Sequence, residues 1–501
     1  MGNKKLGILF LASVLLAFLA GYFSSQIIPT FPVGSGSDVF EDLTDLFDRY
    51  YYYDIDDTQV QDAFVASMEA IVQSYGESND DPYTRLVATP LSVTPSGDES
   101  FIGIGIGFIM EDQNLRVTYV YPNAAAENKL YPNDLIVGII IDDQTTYFSD
   151  LDSESQVMSY LSGDLDETKT FVVMNPDLIE SEVDITYKEI LTPTAYTKDL
   201  LEPDIAYIKI NEFSGYIQNV TVGTAKVFSD VLNDLESSML DTSSETKTLI
   251  IDVRNNPGGS LSALHNSGDT SMVPGILQQL LTKNVETPLF QMIPKSGNAN
   301  NYYGNLANPK AYDIAILVNE RSASAAEVLA AALNSYGGYS LYGNLTYGKG
   351  VYQNTRAIRD INDIRYSLVY TEGEWFYGDR LNVATTPLDV NIIEQEGIKT
   401  IELPIYGGLV SMNQVSYFLS SYQAFLNYYF DYFGASLLRL DGYFDLATQN
   451  AFEAYQLDRG LTVTGTLNRE TAVSIHQFYM ERTNDMDYDV QLQNLIELIK
   501  S

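Results

Sequence analysis

Three polar residues in the middle of the chain have side chains that could carry out acyl transfer. Ser324 follows an apolar run at 314–318 and precedes an Ala- and Leu-rich run that favours a helix. A hydroxyl at such a strand-to-helix junction lies at a helix N-terminus, where free backbone N–H groups can stabilise an oxyanion. Lys349 stands 25 residues later and Gln353 four residues after that. This spacing places their side chains on one face of a strand or a helix.

The same residues also have a purely structural interpretation. Serine is a favoured N-cap residue, so Ser324 could do no more than begin a helix. Ser322 is a second candidate nucleophile, and Gly-Lys-Gly at 348–350 is a common loop composition. The residue types alone leave these alternatives open.

The amino-acid composition limits which catalytic mechanisms are possible. The chain has no cysteine and two histidines, His265 and His476. Thiol nucleophiles, thiolate metal sites and disulfides are therefore excluded, and no His-Glu-x-x-His zinc spacing is present. A lysine amine is then the natural general base, provided that burial lowers its pKa from about 10.4. We expect no metal and no other cofactor, and we expect His265 to be a surface or turn residue.

The chain is long and strongly acidic. Its 501 residues are enough for three or four domains, and its formal charge is −39. No basic run could neutralise phosphates, so nucleic acid is not an expected partner. The negative charge also argues against binding to an anionic membrane surface.

The N-terminal segment predicts export. Residues 6–23 carry no charge and follow Lys4 and Lys5, which favours a signal anchor with its short side inside. A cleaved signal peptide is the alternative, and both interpretations place the rest of the chain outside the cytoplasm. We assign residues 1–36 to this anchor and a linker, and we expect a single-pass protein of the cell membrane.

The remaining chain divides by texture into a helical segment (37–96), a β-rich domain (97–178), a mixed α/β core (179–408), a three-helix domain (409–480) and a helical tail (481–501). The local patterns predict the following elements: strands 115–120, 169–174, 205–210, 248–253, 314–318 and 366–371, and helices 57–75, 124–128, 152–161 and 219–236. The strand at 248–253 ends in Arg-Asn-Asn-Pro-Gly-Gly, a turn that exposes backbone N–H groups.

Five separated motifs, in order, resemble those of the carboxy-terminal processing peptidases. They are Asp-Pro-Tyr-Thr at 81–84, a weakened Gly-Leu-x-x-Gly-Asp motif at 130–136, Asp-Val-Arg-Asn-Asn-Pro-Gly-Gly at 252–259, the serine turn at 318–327 and Gly-Lys-Gly-Val-Tyr-Gln at 348–353. The segment 412–478 is similar to a type 1 peptidoglycan-binding domain. The resemblance implies a multidomain α/β protein with a PDZ-like domain and a mixed α/β protease core of the ClpP/crotonase type.

The resemblance also implies roles for individual residues. Ser324 corresponds to the nucleophile, Lys349 to the general base and Gln353 to the residue that orients the base. The oxyanion hole would be formed by the backbone N–H of Ala325 and one from Gly258 or Gly259. The peptide-binding loop of the PDZ-like domain corresponds to Gly103, Ile104, Gly105 and Ile106. The chain departs from the family in Ala326, where serine is usual, and around Asn133, where both motif glycines are missing.

The implied function is that of an exported serine endopeptidase that recognises and cleaves the C-terminal regions of envelope proteins. Expected partners are protein substrates bound by their C-termini, peptidoglycan, and the membrane through the N-terminal helix; a homodimer is left open. The alternative is a catalytically inactive envelope scaffold, although a scaffold has no need of a lysine beside a serine. A wall hydrolase is less well supported, since no paired catalytic carboxylates are visible.

Overall fold

The computed structural model describes residues 57–90, 100–151, 153–197, 201–217, 221–240, 247–266, 273–361 and 364–501. The predicted anchor at 1–36 lies outside this part of the chain. Within the described ranges, no helix is long and apolar enough to cross a membrane. The described residues form two compact units, one within residues 1–92 and 353–371 and the other within residues 93–352 and 372–501. The domain boundaries given above stay predictions.

Helices occur in both units. Those described are α1 Asp57–Ser78, α2 Glu154–Leu161, α3 Thr224–Leu240, α4 Ile276–Leu280, α5 Ala325–Ser335, α6 Leu419–Tyr429, α7 Leu446–Asp458, α8 Arg469–Thr483 and α9 Val490–Lys500.

The strands, numbered in chain order, are β1 Arg85–Pro90, β2 Ser100–Gly103, β3 Ile106–Glu111, β4 Asn114–Val120, β5 Leu135–Ile141, β6 Gln144–Tyr147, β7 Thr168–Met174, β8 Glu180–Thr186, β9 Lys188–Leu191, β10 Ala195–Tyr196, β11 Ile205–Ile210, β12 Thr248–Asp252, β13 Phe290–Pro294, β14 Asn300–Tyr302, β15 Asp313–Val318, β16 Ser340–Gly343, β17 Val351–Ile361, β18 Ile364–Phe376 and β19 Val390–Ile392.

The first unit contains α1, β1 and the adjoining parts of β17 and β18. The antiparallel pairing of β1 with β18 matches Arg85 to Val369. The helix predicted at 57–75 is confirmed as α1, whereas the strand β1 that follows it within the predicted helical segment was not predicted. Helical structure stops before Pro82, and the chain then gains a strand partner that lies far away in sequence. Trp375 is also part of β18.

A β-rich domain occupies the first part of the second unit. Its sheet has the order β3-β4-β5-β7-β8, with β6 paired to β5. The strands predicted at 115–120 and 169–174 and the helix at 152–161 are confirmed as β4, β7 and α2. The short helix predicted at 124–128 is wrong. Asn123 and Asn128 have positive φ, and the Ala126 N–H is donated to the Ile104 carbonyl, so the segment forms successive turns.

The mixed α/β core is built on a six-stranded sheet of order β10-β11-β12-β15-β16-β19, parallel except for β10. Its strands are apolar runs because both faces are covered. One face packs against α3 and α5. The other face packs against Leu492, Leu495 and Ile496 of α9, so the predicted helical tail is part of this core. The predicted helix 219–236 begins and ends later, as α3.

The three predicted helices of the C-terminal domain are α6, α7 and α8. Asp445 caps α7 by accepting the Thr448 N–H at 2.8 Å, and Asn468 caps α8 by accepting the Thr471 N–H at 2.9 Å. Both helices therefore begin after a polar residue whose side chain accepts a backbone N–H of the first turn.

Candidate active site

Ser324 sits in a sharp turn between β15 and α5. Its backbone has φ 55 and ψ −116, a conformation that non-glycine residues rarely adopt. Such backbone strain clusters at functional sites, where the surrounding structure enforces it. The side chain is partly exposed, and the residue immediately precedes the first turn of the helix. A partly exposed hydroxyl at a strained strand-to-helix turn is the arrangement expected of a nucleophile.

Ser322, the other candidate nucleophile, is fully buried. Its hydroxyl donates to the Val253 carbonyl at 2.7 Å and accepts the Asn319 N–H at 3.0 Å. Both bonds tie the turn to the end of β12. The Ser322 hydroxyl is therefore buried and engaged in structural hydrogen bonds, whereas a nucleophile needs a hydroxyl that the substrate can reach.

The glycine turn after β12 lies directly against Ser324. A Cβ placed on Gly258 would lie 2.8 Å from the Ser324 Cβ and 3.0 Å from the Ala325 nitrogen, so no other residue fits there. The Gly258 N–H is already donated to Asn256 Oδ1 at 2.8 Å. The N–H groups of Gly259 and Ala325 have no hydrogen-bond acceptor among the described residues. Of the two predicted glycines, Gly259 is therefore the one with an N–H free to serve an oxyanion.

The two turns are fastened together by amide groups. Asn255 N–H donates to Asn319 Oδ1 at 2.8 Å, and Asn319 Nδ2 donates to Asn255 Oδ1 at 2.9 Å. The Ala323 N–H donates to the Asn256 carbonyl at 3.0 Å. Because these bonds join the ends of neighbouring parallel strands, the glycine turn and the serine turn form one preorganised unit.

Glu327 links the serine turn to the lysine segment. Its side chain is fully buried, and Oε2 accepts the backbone N–H groups of Ser324 and Lys349, each at 2.8 Å. Oε1 accepts the Gly348 N–H at 2.6 Å. The structure therefore brings Ser324 and Lys349 to a single carboxylate oxygen. The sequence interpretation missed Glu327, although Ser-x-x-Glu is the signature of a capping box.

The lysine segment is also held by Trp375, which is buried. Trp375 Nε1 donates to the Lys349 carbonyl at 2.8 Å, and its backbone N–H donates to the Gly350 carbonyl at 3.1 Å. Lys349 itself is partly exposed. Gln353 belongs to the first unit, in β17, where its Nε2 donates to Thr371 Oγ1 at 3.2 Å.

A buried ion network supports the glycine turn. Arg254 donates to Asp252 and to Asp489, with nitrogen–oxygen distances of 2.7 and 2.8 Å, and Lys209 lies 3.1 Å from Asp252. Burial by itself would raise the pKa of Asp252, but Arg254 and Lys209 hold it well below its usual range. Asp489 precedes α9, so the tail anchors the residue that leads into the glycine turn. The sequence analysis assigned no partner to Arg254.

The predicted peptide-binding loop connects β2 to β3. Gly103 and Ile104 are buried, and a Cβ on Gly105 would lie 2.3 Å from the Ala124 Cβ. Gly105 has φ 75, so close packing and backbone conformation both require glycine there. Ile106 begins β3, which lies at one end of the strand order. A strand in that position is where an added peptide strand could pair.

The motif departure around Asn133 coincides with a contact to the C-terminal domain. Asn133 has φ 76, and its Nδ2 donates to the Tyr406 carbonyl at 3.0 Å. The buried Asp134 carboxylate accepts from Arg469 of α8 at 2.7 Å. Asparagine tolerates the left-handed conformation that glycine would otherwise provide. Asn133 therefore links this turn to Tyr406, a residue that packs against the C-terminal helices.

No candidate metal centre is found in the described ranges, where no group of three or more His, Asp or Glu residues could hold an ion. His265 is half-buried and accepts the Tyr303 N–H at 3.4 Å, and burial lowers its pKa. Its ring packs on Tyr302.

Comparison with known proteins identifies two parts of the chain. Residues 204–383 match peptidase family S41, and residues 419–475 match a putative peptidoglycan binding domain. The chain is similar to the carboxy-terminal processing protease CtpB of Bacillus subtilis (strain 168), with 26% identity over 441 residues, 86% of this chain and 83% of that protein. It is also similar to a probable CtpA-like serine protease of Staphylococcus aureus (strain COL), with 28% identity over 444 residues, 87% of this chain and 80% of that protein.

Among solved structures, the photosystem II D1 C-terminal processing protease aligns with 72% of this chain and 93% of its own, at 18% identity and a TM-score of 0.38. The matched domains define the class of protein, a serine peptidase followed by a peptidoglycan-binding domain. The chain thus carries a peptidase family S41 domain at residues 204–383 and is homologous to the carboxy-terminal processing proteases.

Proposed function

We propose that this protein is an exported endopeptidase that uses Ser324 and Lys349 as a catalytic dyad to cleave the C-terminal regions of envelope proteins. The observation that carries the proposal is the shared carboxylate of Glu327, which accepts the backbone N–H groups of both residues. The Ser324 and Lys349 segments, 25 residues apart in sequence, are thereby bonded to the same carboxylate.

The proposed reaction begins when the neutral amine of Lys349 takes the proton of the Ser324 hydroxyl as Oγ attacks the substrate carbonyl carbon. The N–H groups of Ala325 and Gly259 stabilise the resulting oxyanion; losing one such donor typically costs about 10²–10³ in rate. Collapse breaks the carbon–nitrogen bond, and the lysine ammonium returns its proton to the leaving amine. A water then releases the acyl group from Ser324, with Lys349 again as the base.

Gln353 is assigned the role of orienting the amine. An uncharged amide can accept a hydrogen bond from the amine without the large increase in lysine pKa that a carboxylate would cause. This role is carried over from the family resemblance and from the four-residue spacing between Lys349 and Gln353.

Peptide capture and wall attachment complete the proposal. The loop at Gly103–Ile106 would bind a substrate C-terminus beside the terminal strand β3, and the α6–α8 domain would bind peptidoglycan. The N-terminal segment would tether the chain to the membrane. The inactive scaffold receives no support from the site, because the serine, lysine and glutamine are all retained.

The dyad is tested by cleavage of an unstructured peptide with a free C-terminus. We expect Ser324→Ala and Lys349→Ala each to abolish cleavage while the midpoint of thermal unfolding stays near that of the wild type. A chelator should not inhibit. Retained cleavage by either variant would contradict the assignment, and inhibition by a chelator would indicate a metal-dependent reaction instead.

Wall attachment is tested separately with the full-length chain, because α9 packs into the protease core and a C-terminal fragment would expose that surface. We expect the Ser324→Ala protein to sediment with isolated peptidoglycan and to be released after muramidase digestion. Absence of sedimentation would contradict the proposed wall binding without affecting the dyad.

A further inference from the structure

Asp81, the first residue of the Asp-Pro-Tyr-Thr motif, has no role in the function proposed above. Its carboxylate is nevertheless surrounded by donors. Oδ1 accepts the Tyr83 N–H and the Thr371 hydroxyl, both at 3.0 Å, and Oδ2 accepts the Thr84 hydroxyl at 2.6 Å. The Pro82 turn presents two of these donors locally, whereas Thr371 is 290 residues away.

Thr371 connects this carboxylate to Gln353. Its Oγ1 accepts from Gln353 Nε2 at 3.2 Å while its proton is directed to Asp81. Its backbone N–H donates to Thr84 Oγ1 at 3.1 Å, which fixes the threonine in place. Asp81, Thr371 and Gln353 therefore form a continuous hydrogen-bonded chain within the first unit.

The carboxylate of Asp81 determines which group donates and which accepts in each of these hydrogen bonds. Burial pushes the pKa of Asp81 up, but the hydrogen bonds from Thr84, Tyr83 and Thr371 outweigh it and leave the pKa below its usual value. Asp81 is then ionised at neutral pH and can only accept. A threonine hydroxyl has one proton, and that proton is committed to Asp81. Its oxygen can therefore only accept from Gln353.

The orientation of the Gln353 amide is thereby determined. Nε2 must face Thr371, and Oε1 on the opposite side of the planar amide points away from it. Oε1 is an acceptor, which is what an amine or ammonium requires of its partner. A reversed amide would offer an NH₂ group in place of this acceptor, and an NH₂ group cannot accept from an amine.

We propose that Asp81 and Thr371 are positioning residues that hold the Gln353 amide with its carbonyl oxygen available to the catalytic amine. The inference rests on the proposed function, in which Gln353 orients Lys349. It gives the Asp-Pro-Tyr-Thr motif a task in catalysis although the motif lies far from Ser324 in sequence.

The test measures kcat and KM for hydrolysis of an unstructured peptide by full-length variants. Thr371→Val removes the hydroxyl at nearly constant volume, and we expect kcat to fall about tenfold with KM within twofold, since one oriented hydrogen bond is lost. Thr371→Ser, which keeps the hydroxyl, should retain at least half of the wild-type kcat. Asp81→Asn should lower kcat to a similar extent, because an amide can donate to Thr371 and reverse the chain. Thr355→Val, an exposed position in β17, is the matched control and should leave kcat unchanged.

The decisive comparison places Thr371→Val in a Gln353→Ala background. If Thr371 acts through Gln353, the second substitution should cause no further loss of kcat. A further tenfold loss, or loss that parallels a lower unfolding midpoint in both Thr371→Val and Thr371→Ser, would overturn the proposal. Failure of the dyad itself is distinguishable, because Ser324→Ala and Lys349→Ala would then retain activity.

Discussion

The catalytic turns of the protease core and the turn at residues 131–134 differ in where their hydrogen bonds lead. At the catalytic turns, Glu327 bonds to Ser324 and Lys349 inside the same core. At the second turn, Asn133 and Asp134 bond to residues that lie next to or within the C-terminal domain. The first turns retain the family motif and the second departs from it. The motif residues are retained at the catalytic turns, where the hydrogen bonds stay within one core. They are altered at the turn at residues 131–134, which contacts another domain.

The difference also appears in the charges. In the protease core, Arg254 is enclosed by Asp252 and Asp489, all of them buried. At the second turn, Asp134 is buried but its partner Arg469 keeps about a quarter of its side chain exposed. We therefore expect the contacts within the protease core to determine folding and catalysis. The contacts of the turn at residues 131–134 should control docking of the C-terminal domain.

The largest effect is expected from Arg254→Met. Removing the guanidinium leaves the Asp252 and Asp489 carboxylates buried with reduced compensation, which typically costs about 3–5 kcal/mol. The free energy of unfolding, measured in urea, should fall accordingly, and activity should be lost at temperatures where the wild type is active. Arg365→Met removes an exposed ion pair with Asp360 and serves as the control, with little expected change. Equal effects of the two substitutions would contradict the structural role of the network.

The next effect concerns Glu327. In Glu327→Gln the side chain keeps its shape, but an NH₂ group must face at least one of the three backbone N–H donors. The Ser324 and Lys349 segments should then separate slightly, and a misplacement of about 1 Å can cost about 100-fold in rate. We expect kcat for peptide hydrolysis to fall about 100-fold. Glu320→Gln, an exposed position in the same turn, should have no effect. A wild-type kcat in Glu327→Gln would contradict the view that the Glu327 carboxylate positions the Ser324 and Lys349 segments.

A smaller effect is expected from Arg469→Met at the second turn. The substitution removes the ion pair to Asp134 and the contact with the Tyr131 ring, whose centroid lies 4.9 Å from the guanidinium carbon. A lost hydrogen bond to a charged group costs about 2 kcal/mol. The unfolding midpoint should fall while kcat for a short peptide stays within twofold. Glu481→Gln, exposed on the same helix, is the control. A large loss of kcat would show that the two regions are not separate.

The smallest effect is a pH dependence at the second turn. His476 packs on Tyr131, and burial together with the charge of Arg469 lowers its pKa from 6.5 to about 4. Between these values the unfolded chain binds a proton that the folded chain does not, so stability falls as pH drops through this window. We expect wild type to lose about 1–2 kcal/mol between pH 7 and 4.5 relative to His476→Gln. Identical pH profiles would contradict the assignment.

The features that were predicted correctly are local in sequence. The strand-to-helix turn at Ser324 and the glycine turn after β12 each depend on neighbouring residues, so strand, turn and helix signals sufficed. The features that were missed depend on distant partners. β1 requires β18, and Arg254 requires Asp489, which is 235 residues away. The helix at 124–128 was mispredicted because two asparagines adopt positive φ, which composition does not reveal.

The most direct measurement for the central claim is the site and rate of labelling by a fluorophosphonate, which reacts with activated serines. We expect peptide mass spectrometry of the labelled full-length protein to find the adduct on Ser324, and Lys349→Ala to slow labelling at least 100-fold at neutral pH. An adduct on Ser322 or another serine, or a labelling rate at Ser324 that is unchanged in Lys349→Ala, would contradict a Ser324–Lys349 dyad.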